Sequence, residues 1–260
     1  MLELKNISFN VKDKNDDKEI VKNISFKIED DSFAVITGPN GGGKSTIAKI
    51  ITGIEKPTEG QIFYKGEDIT NLNITQRAKM GVGFAFQQPV KFKGFTVFDM
   101  LSLAAKNAVK SVSGKSADKV VCGSEGKKLK VEEACAYLSE VGLCAKDYVY
   151  REVNGSLSGG ELKRIEIAML IARGTVLSVF DEPEAGIDLW SFKNLIRVFQ
   201  KMRESTKGTV VIISHQERIL EIADKIIVIA GGEIKSIGNK SDILPELLKN
   251  SDTCKFYKED

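Results

Sequence analysis

Apolar and polar residues alternate with a period of two at the start of the chain: Leu2 and Leu4, then Ile7, Phe9 and Val11, and again Ile24, Phe26 and Ile28. This is the spacing of strands with one buried face, so residues 1 to 31 are expected to form an antiparallel pair with polar Asp13 to Lys18 as its turn. The pattern then changes. Ser32 to Thr37 is a short apolar run suited to a buried strand, and from Lys44 onward Ile47, Ile50 and Ile51 recur at helical spacing until Gly53 stops the helix. Ile62 and Tyr64 alternate between a turn at Pro57 to Gly60 and a glycine turn at Gly66, and Val82 to Phe86 reads as a buried strand.

The middle of the chain reads differently. Thr96 is placed to cap a helix running through Met100, Leu101 and Ala104. Lys106 to Lys130 is rich in Lys, Ser and Gly with little apolar period, which predicts a mobile surface insertion. Its lysines have no interleaved aromatics, so a solvated face is expected there and not a nucleic-acid site. Helical spacing resumes at Val131, Cys135, Leu138 and Val141, and the helical character continues to about Gly174. Strands are then expected at Val176 to Asp181, Thr209 to Ile213, Lys225 to Ala230 and Glu233 to Ile237, separated by helices through Leu189, Phe192, Ile196 and Phe199 and through Ile219, Leu220 and Ile222. Strands and helices alternating at these lengths predict an α/β fold with a mainly parallel sheet covered on both faces. The expected division is a core from residues 1–88 and 175–260, including the antiparallel N-terminal β subdomain, with an α-helical subdomain inserted at 89–174.

Bulk composition narrows the functional classes. There are 38 basic and 36 acidic residues, a net charge of +2, which gives no electrostatic case for a nucleic-acid or membrane-surface protein. No apolar run approaches the ~20 residues that span a bilayer, and the strand-like N-terminus lacks a signal-peptide core, so a cytoplasmic chain is expected. Cys122, Cys135, Cys144 and Cys254 show no metal-ligand spacing and are read as incidental thiols.

The chemistry centres on Gly38 to Thr46. Gly38, Pro39, Asn40, Gly41, Gly42, Gly43, Lys44, Ser45 and Thr46 spell GPNGGGKST, the phosphate-binding pattern G-x-x-x-x-G-K-[ST], between a predicted strand and a predicted helix. In that context the glycines let successive N–H groups curl round an anion and the helix N-terminus adds positive potential. Lys44 reaches the terminal phosphates and Ser45 ligates Mg2+. VLSVFDE ends an apolar strand in Asp181 and Glu182: one carboxylate there is suited to holding Mg2+, the other to polarising an attacking water. Leu157 to Glu161, LSGGE, opens a helix with Ser158 and Glu161 as a capping box, while Ser158, Gly159 and Gly160 leave N–H groups and a hydroxyl for a second phosphate. A single chain has little use for two phosphate cradles around one nucleotide unless the second serves a partner's nucleotide. Asn239 to Asp242, NKSD, matches a guanine-reading pattern, but it follows the short second strand of a hairpin and Ser241 reads as a helix cap, so GTPase chemistry is set aside.

Over nearly its full length the chain resembles the ATP-binding cassette (ABC) ATPases. The resemblance implies further roles. Gln87 in FAFQQP stands at the family's glutamine-loop position as a magnesium ligand and catalytic group, LSGGE at its signature, and Asp188 in the loop that bridges to a partner. His215, the only histidine, stands where the family has its switch histidine. ATP and Mg2+ are the implied cofactors. Two copies are expected to dock head to tail on ATP. The family commonly stacks an aromatic on adenine near the end of the first strand; Val11 stands there, and Phe9, on the same face, is read as core.

Several stretches look closer to the SufC-type ATPases of the SUF iron–sulfur cluster assembly system: AFQQPV at Ala85 to Val90, REVNGSLSGGELKR at Arg151 to Arg164, EAGIDL after the acidic pair, and SHQERILEIAD at Ser214 to Asp224. That resemblance implies SUF scaffold-type proteins as partners. The alternative, the ATP-binding subunit of a membrane transporter with a transmembrane permease as partner, shares every catalytic motif. Chromosome-maintenance ATPases need long coiled coils that the interval from Ser45 to Leu157 cannot hold.

Overall fold

The computed structural model describes residues 1–12, 17–111, 120–122, 129–205 and 208–251. Strands β1 (Leu2–Lys12) and β2 (Asp17–Ile28) pair antiparallel, with Leu2 opposite Ile28, Leu4 opposite Phe26 and Ile7 opposite Ile24. The alternating apolar residues thereby share one buried face. Asp17 and Lys18, expected in the turn, belong to β2; the rest of that turn lies outside the described residues. After β3 (Phe33–Thr37) and helix α1 (Lys44–Thr52), β4 (Glu59–Tyr64) and β5 (Glu67–Asp68) complete a sheet of order β2-β1-β4-β5.

Helix α2 (Ile74–Lys79) escaped the periodicity because it is under two turns long, yet Asn73 and Gln76 form a capping box at its start. Its Arg77 is 1% exposed and donates to the carbonyls of Ile50 and Ile51, at the C-terminal end of α1, and to those of Thr70 and Leu72. The C-cap Gly53 N–H also reaches the Ile50 carbonyl, at 3.3 Å, so the guanidinium reinforces the glycine cap at the end of α1.

A second sheet of order β12-β11-β3-β10-β9-β6 forms the centre, from β6 (Val82–Ala85), β9 (Leu177–Asp181), β10 (Thr209–Ile213), β11 (Lys225–Ala230) and β12 (Glu233–Asn239). Its neighbours run parallel except β12, which returns antiparallel to β11. Both faces are buried: Val35 and Ile212 enter one hydrophobic cluster, Ala34, Ile36 and Val211 the other. That is why these strands read as unbroken apolar runs.

Between β6 and β9 the chain inserts α3 (Val97–Lys106), a β7 (Val109–Ser111) and β8 (Val120–Cys122) ladder, α4 (Val131–Glu140), α5 (Ala145–Tyr148) and α6 (Gly159–Arg173). Thr96 caps α3 through a capping box with Asp99, as its position suggested. The β7–β8 ladder corrects the wholly irregular reading of Lys106 to Lys130; residues 112–119 and 123–128 lie outside the described residues. The chain closes with α7 (Leu189–Ser205), α8 (Glu217–Leu220) and α9 (Lys240–Ser251). α9 begins at Lys240, so Ser241 lies inside its first turn and does not cap it from outside.

Register decides where chemistry can occur. Ile213 on β10 stands opposite Ile36 on β3 and opposite Asp181 on β9. The residues that follow these positions, the phosphate loop, the acidic pair and the Ser214–His215 turn, therefore leave the sheet at one edge, outside the C-terminal ends of parallel strands.

Candidate nucleotide site

Gly38 and Gly43 make the phosphate loop possible. At Gly38, φ is +131° and a Cβ would stand 2.0 Å from the Ile229 carbonyl oxygen; at Gly43, φ is +93° and a Cβ would come within 2.9 Å of the Ile20 carbonyl oxygen. No side chain fits either position. Lys44 begins α1 and is 5% exposed; its ammonium donates to the carbonyls of Gly38 and Pro39 at 2.7 and 2.8 Å, closing the loop on itself. Burial lowers its pKa, opposed by the charges of Glu182 and Asp181.

A cavity of about 680 Å³ adjoins this loop, lined by Asn40 to Thr46, by Gln87 and Glu182, by Lys18, Glu19, Ile20 and Lys22 of β2, and by the Gly231–Gly232 turn. The β2 residues and the glycine turn carry no motif, and only the packing of the two sheets brings them to the loop. Val11 is 40% exposed and Phe9 packs partly buried against the core, as read from the sequence; neither is among the residues that line this cavity.

Ser45 Oγ donates to Asp181 Oδ1 at 2.9 Å, joining two segments far apart in the chain. Burial raises the pKa of Asp181 and the neighbouring Glu182 charge raises it further, against the Ser45 hydroxyl, Lys49 and Lys44. A buried carboxylate next to a hydroxyl is an oxygen-donor pair suited to Mg2+, which takes one or two protein oxygens and fills its shell with phosphate and water. Among the described residues no group of three or more His, Cys, Asp or Glu side chains could hold a metal.

Glu182 has a left-handed backbone, φ +44°, costly for a residue with a side chain. Its N–H donates to Ile213 O at 3.0 Å, and the Lys163 ammonium donates to its carbonyl at 2.9 Å and to that of Ala185 at 2.6 Å. Gln87 Nε2 donates to Glu182 Oε2 at 2.7 Å, so the glutamine loop and the carboxylate expected to act on water already touch. Phe86, one residue earlier, is fixed by its N–H donating to Glu166 Oε1. Lys163 and Glu166 sit in α6 without any spacing signal of their own.

The signature segment stands apart. Ser158 caps α6 and Glu161 returns the bond, with Tyr148 Oη on the other Glu161 oxygen. Ser158 and Gly159 are exposed, and none of Ser158, Gly159 or Gly160 lines the phosphate cavity. Gly160 instead faces Ile187, in the loop leading to Asp188. Asp188 Oδ1 accepts the Ser191 N–H at the start of α7. His215 is exposed and lies next to the acidic loop on the far side of Ser214. The phosphate loop, Gln87, Asp181 and Glu182 are thus assembled within one chain, whereas Ser158, Gly159 and Asp188 are exposed and lie outside the lining of the phosphate cavity, and Gly160 is buried against Ile187.

This combination of a strand–loop–helix phosphate cradle, an acid-tipped neighbouring strand and an inserted helical subdomain defines a nucleoside triphosphatase of the cassette type. Residues 21–185 match the family model described as ABC transporter. An uncharacterized ABC transporter ATP-binding protein of Methanocaldococcus jannaschii is 38% identical over 93% of this chain and 91% of its own length. A probable ATP-dependent transporter, ycf16, of Cyanidium caldarium is 31% identical over 85% of each chain. In fold the chain is similar to a dimeric ATP-binding cassette bound to ADP and Pi in a post-hydrolysis state, with a TM-score of 0.78 at 23% identity, covering 92% of this chain and 99% of that one. The chain belongs to the ABC transporter ATPase family and is an ATP hydrolase that works with ATP and Mg2+.

Proposed function

We propose that two copies of this chain dock head to tail on ATP, each presenting Ser158, Gly159 and Gly160 to the nucleotide held by the other's phosphate loop. The observation that supports this is that Ser158 and Gly159 are exposed and that neither they nor Gly160 line the phosphate cavity of their own chain. In this reading Gly38 to Thr46 cradle the phosphates, Lys44 offsets charge on the transferred group, and Ser45, Asp181 and Gln87 hold Mg2+. The metal, when bound, neutralises phosphate charge. Glu182 orients and polarises the attacking water, His215 contacts the terminal phosphate, and Asp188 bridges to the partner copy. Phosphoryl transfer asks chiefly for positioning of this kind. Residues 1–88 and 175–260 act as the ATP-binding core and 89–174 as the helical subdomain that carries the signature.

Mixing two disabled chains tests the arrangement. K44A lacks the phosphate-loop lysine and S158R blocks the signature. Head-to-tail docking gives the mixed dimer one intact composite site, so up to about half of wild-type turnover returns on mixing. No recovery at any ratio sinks the proposal.

ATP hydrolysis here drives a partner. A groove of about 600 Å³ between α6 and the segment after β6 is lined by Phe86, Val90, Phe92 and Leu103, each 39–52% exposed, an apolar surface suited to a docked subunit. The relatives are described as transporters or transporter ATP-binding proteins, which supports a transmembrane permease as the partner, with this chain at the cytoplasmic face. Among the described residues no helix is long and apolar enough to cross a membrane. A second reading, a SUF scaffold-type partner in iron–sulfur cluster assembly, is favoured by Arg151 to Arg164 and Ser214 to Asp224, whose residues resemble that system. Co-purification from the native cell separates the two: integral membrane partners support transport, and water-soluble scaffold proteins support cluster assembly.

A further inference from the structure

Glu184 is a buried acid that none of the roles above uses. It lies two residues beyond Glu182, is 8% exposed, and one of its carboxyl oxygens, Oε2, accepts no hydrogen bond. Burial raises its pKa, opposed by the Ser214 hydroxyl and the nearby His215. A half-satisfied buried carboxyl costs about 1–3 kcal/mol, so packing alone does not account for it.

Its other oxygen makes the informative contact. Ser214, fully buried, donates its hydroxyl to Glu184 Oε1 at 2.5 Å and accepts the Gln216 N–H at 3.0 Å on the same Oγ. The side chain of Ser214 therefore spans His215, bonding the backbone on its far side, in the local turn that Ser forms with the residue two positions on. The Ser214 N–H is held by Ile36 O at 3.1 Å and the Glu182 N–H by Ile213 O at 3.0 Å. Two cross-links, Glu182 to Ile213 and Ser214 to Glu184, thus bind the acidic loop to the switch turn. A hydroxyl has a single proton; committing it to Glu184 leaves the lone pairs turned toward the Gln216 N–H.

We propose that Glu184 is a positioning residue for hydrolysis: acting through Ser214, it fixes the turn that carries His215 relative to the backbone that carries Glu182. This rests on the role of His215 given under the proposed function. Glu184 touches neither nucleotide nor water in this scheme. Its effect falls on turnover and not on nucleotide affinity, because the phosphate loop is held independently by Lys44 and Ser45.

The test is steady-state ATP hydrolysis by the full chain, with S214A and E184A each made in the wild-type and in the H215A background. In the wild type each lowers kcat at least about fivefold with KM changed less than about twofold, and on H215A each has almost no further effect. E184Q keeps an oxygen acceptor at the same place and retains turnover within about threefold of wild type. S214A removes one hydroxyl only, which keeps the test open if E184A does not fold. Equal losses in both backgrounds, or wild-type turnover by S214A, overturn the proposal. Wild-type turnover by H215A itself removes the role of His215 and this inference with it, an outcome distinct from additive losses on an impaired H215A chain.

Discussion

The Lys163 ammonium reaches from the second turn of α6 to the backbone carbonyls of Glu182 and Ala185, 2.9 and 2.6 Å away. The signature helix and the acidic loop are therefore one mechanical unit. Lys163 is 4% exposed and its pKa is lowered by burial, against the charges of Glu184, Glu166, Glu182 and Asp181. It holds in place the left-handed backbone of Glu182. Replacing Lys163 by Met removes that hold while filling similar volume. The expected result is a fall in kcat of about tenfold or more with little change in KM. A K163M chain with unaltered kcat would show that Glu182 keeps its geometry unaided.

Glu182 to Gln removes the group expected to polarise water and keeps its shape. Turnover falls by about a hundredfold or more while ATP binding persists, so ATP should drive the variant into a stable dimer. Light scattering with and without ATP reads the mass directly. Near-normal hydrolysis by E182Q reassigns the water-activating group, and a dimer without nucleotide speaks against ATP-driven docking.

Arg77 binds four carbonyls from beneath α1, and burial lowers its pKa to about 10. Arg77 to Leu takes the guanidinium donors from the carbonyls of Ile50, Ile51, Thr70 and Leu72 and leaves Ile50 only the weaker Gly53 N–H. A loss of about 3 kcal/mol or more in urea unfolding is expected. An unchanged midpoint would mean that water takes over those carbonyls at no cost.

Glu166 lines the apolar groove, and burial raises its pKa from 4.5 to about 7 against the Phe86 N–H and Lys163. The folded chain holds this proton more tightly than the unfolded one. Its contribution to stability is therefore complete below pH 4.5 and lost as pH rises through about 7. E166Q stays neutral and still accepts the Phe86 N–H. It should match the wild type near pH 5 and exceed it near pH 8 by up to about 3 kcal/mol. Equal stability of the two chains at both pH values would place the titration elsewhere.

Much of this was written locally. The strands were legible because period-two alternation and unbroken apolar runs follow from one buried face or two, and α1, α3 and α6 because Gly53, Thr96 and Ser158 mark their ends. Short or ambiguous signals carry less: α2 is too brief for a helical period, and Ser241 is a good cap that helix α9 runs past. The motif residues of the site were legible for a related reason. Phosphate binding needs glycines, a lysine and a helix start in a fixed local order, so GPNGGGKST declares itself without tertiary information.

By itself, then, the sequence determined the phosphate loop, the acid-tipped strand, the capped signature helix and the family they define, since each depends on residues within one turn or one strand. Tertiary structure alone decided what lies opposite what. The register of β3, β10 and β9 puts Ser45 on Asp181, the packing of α6 puts Lys163 under Glu182 and Glu166 under Phe86, and the meeting of two loops puts Glu184 on Ser214. These contacts join positions up to 136 residues apart. No local periodicity encodes them, because they arise only when the hydrophobic faces of separate elements close on one another.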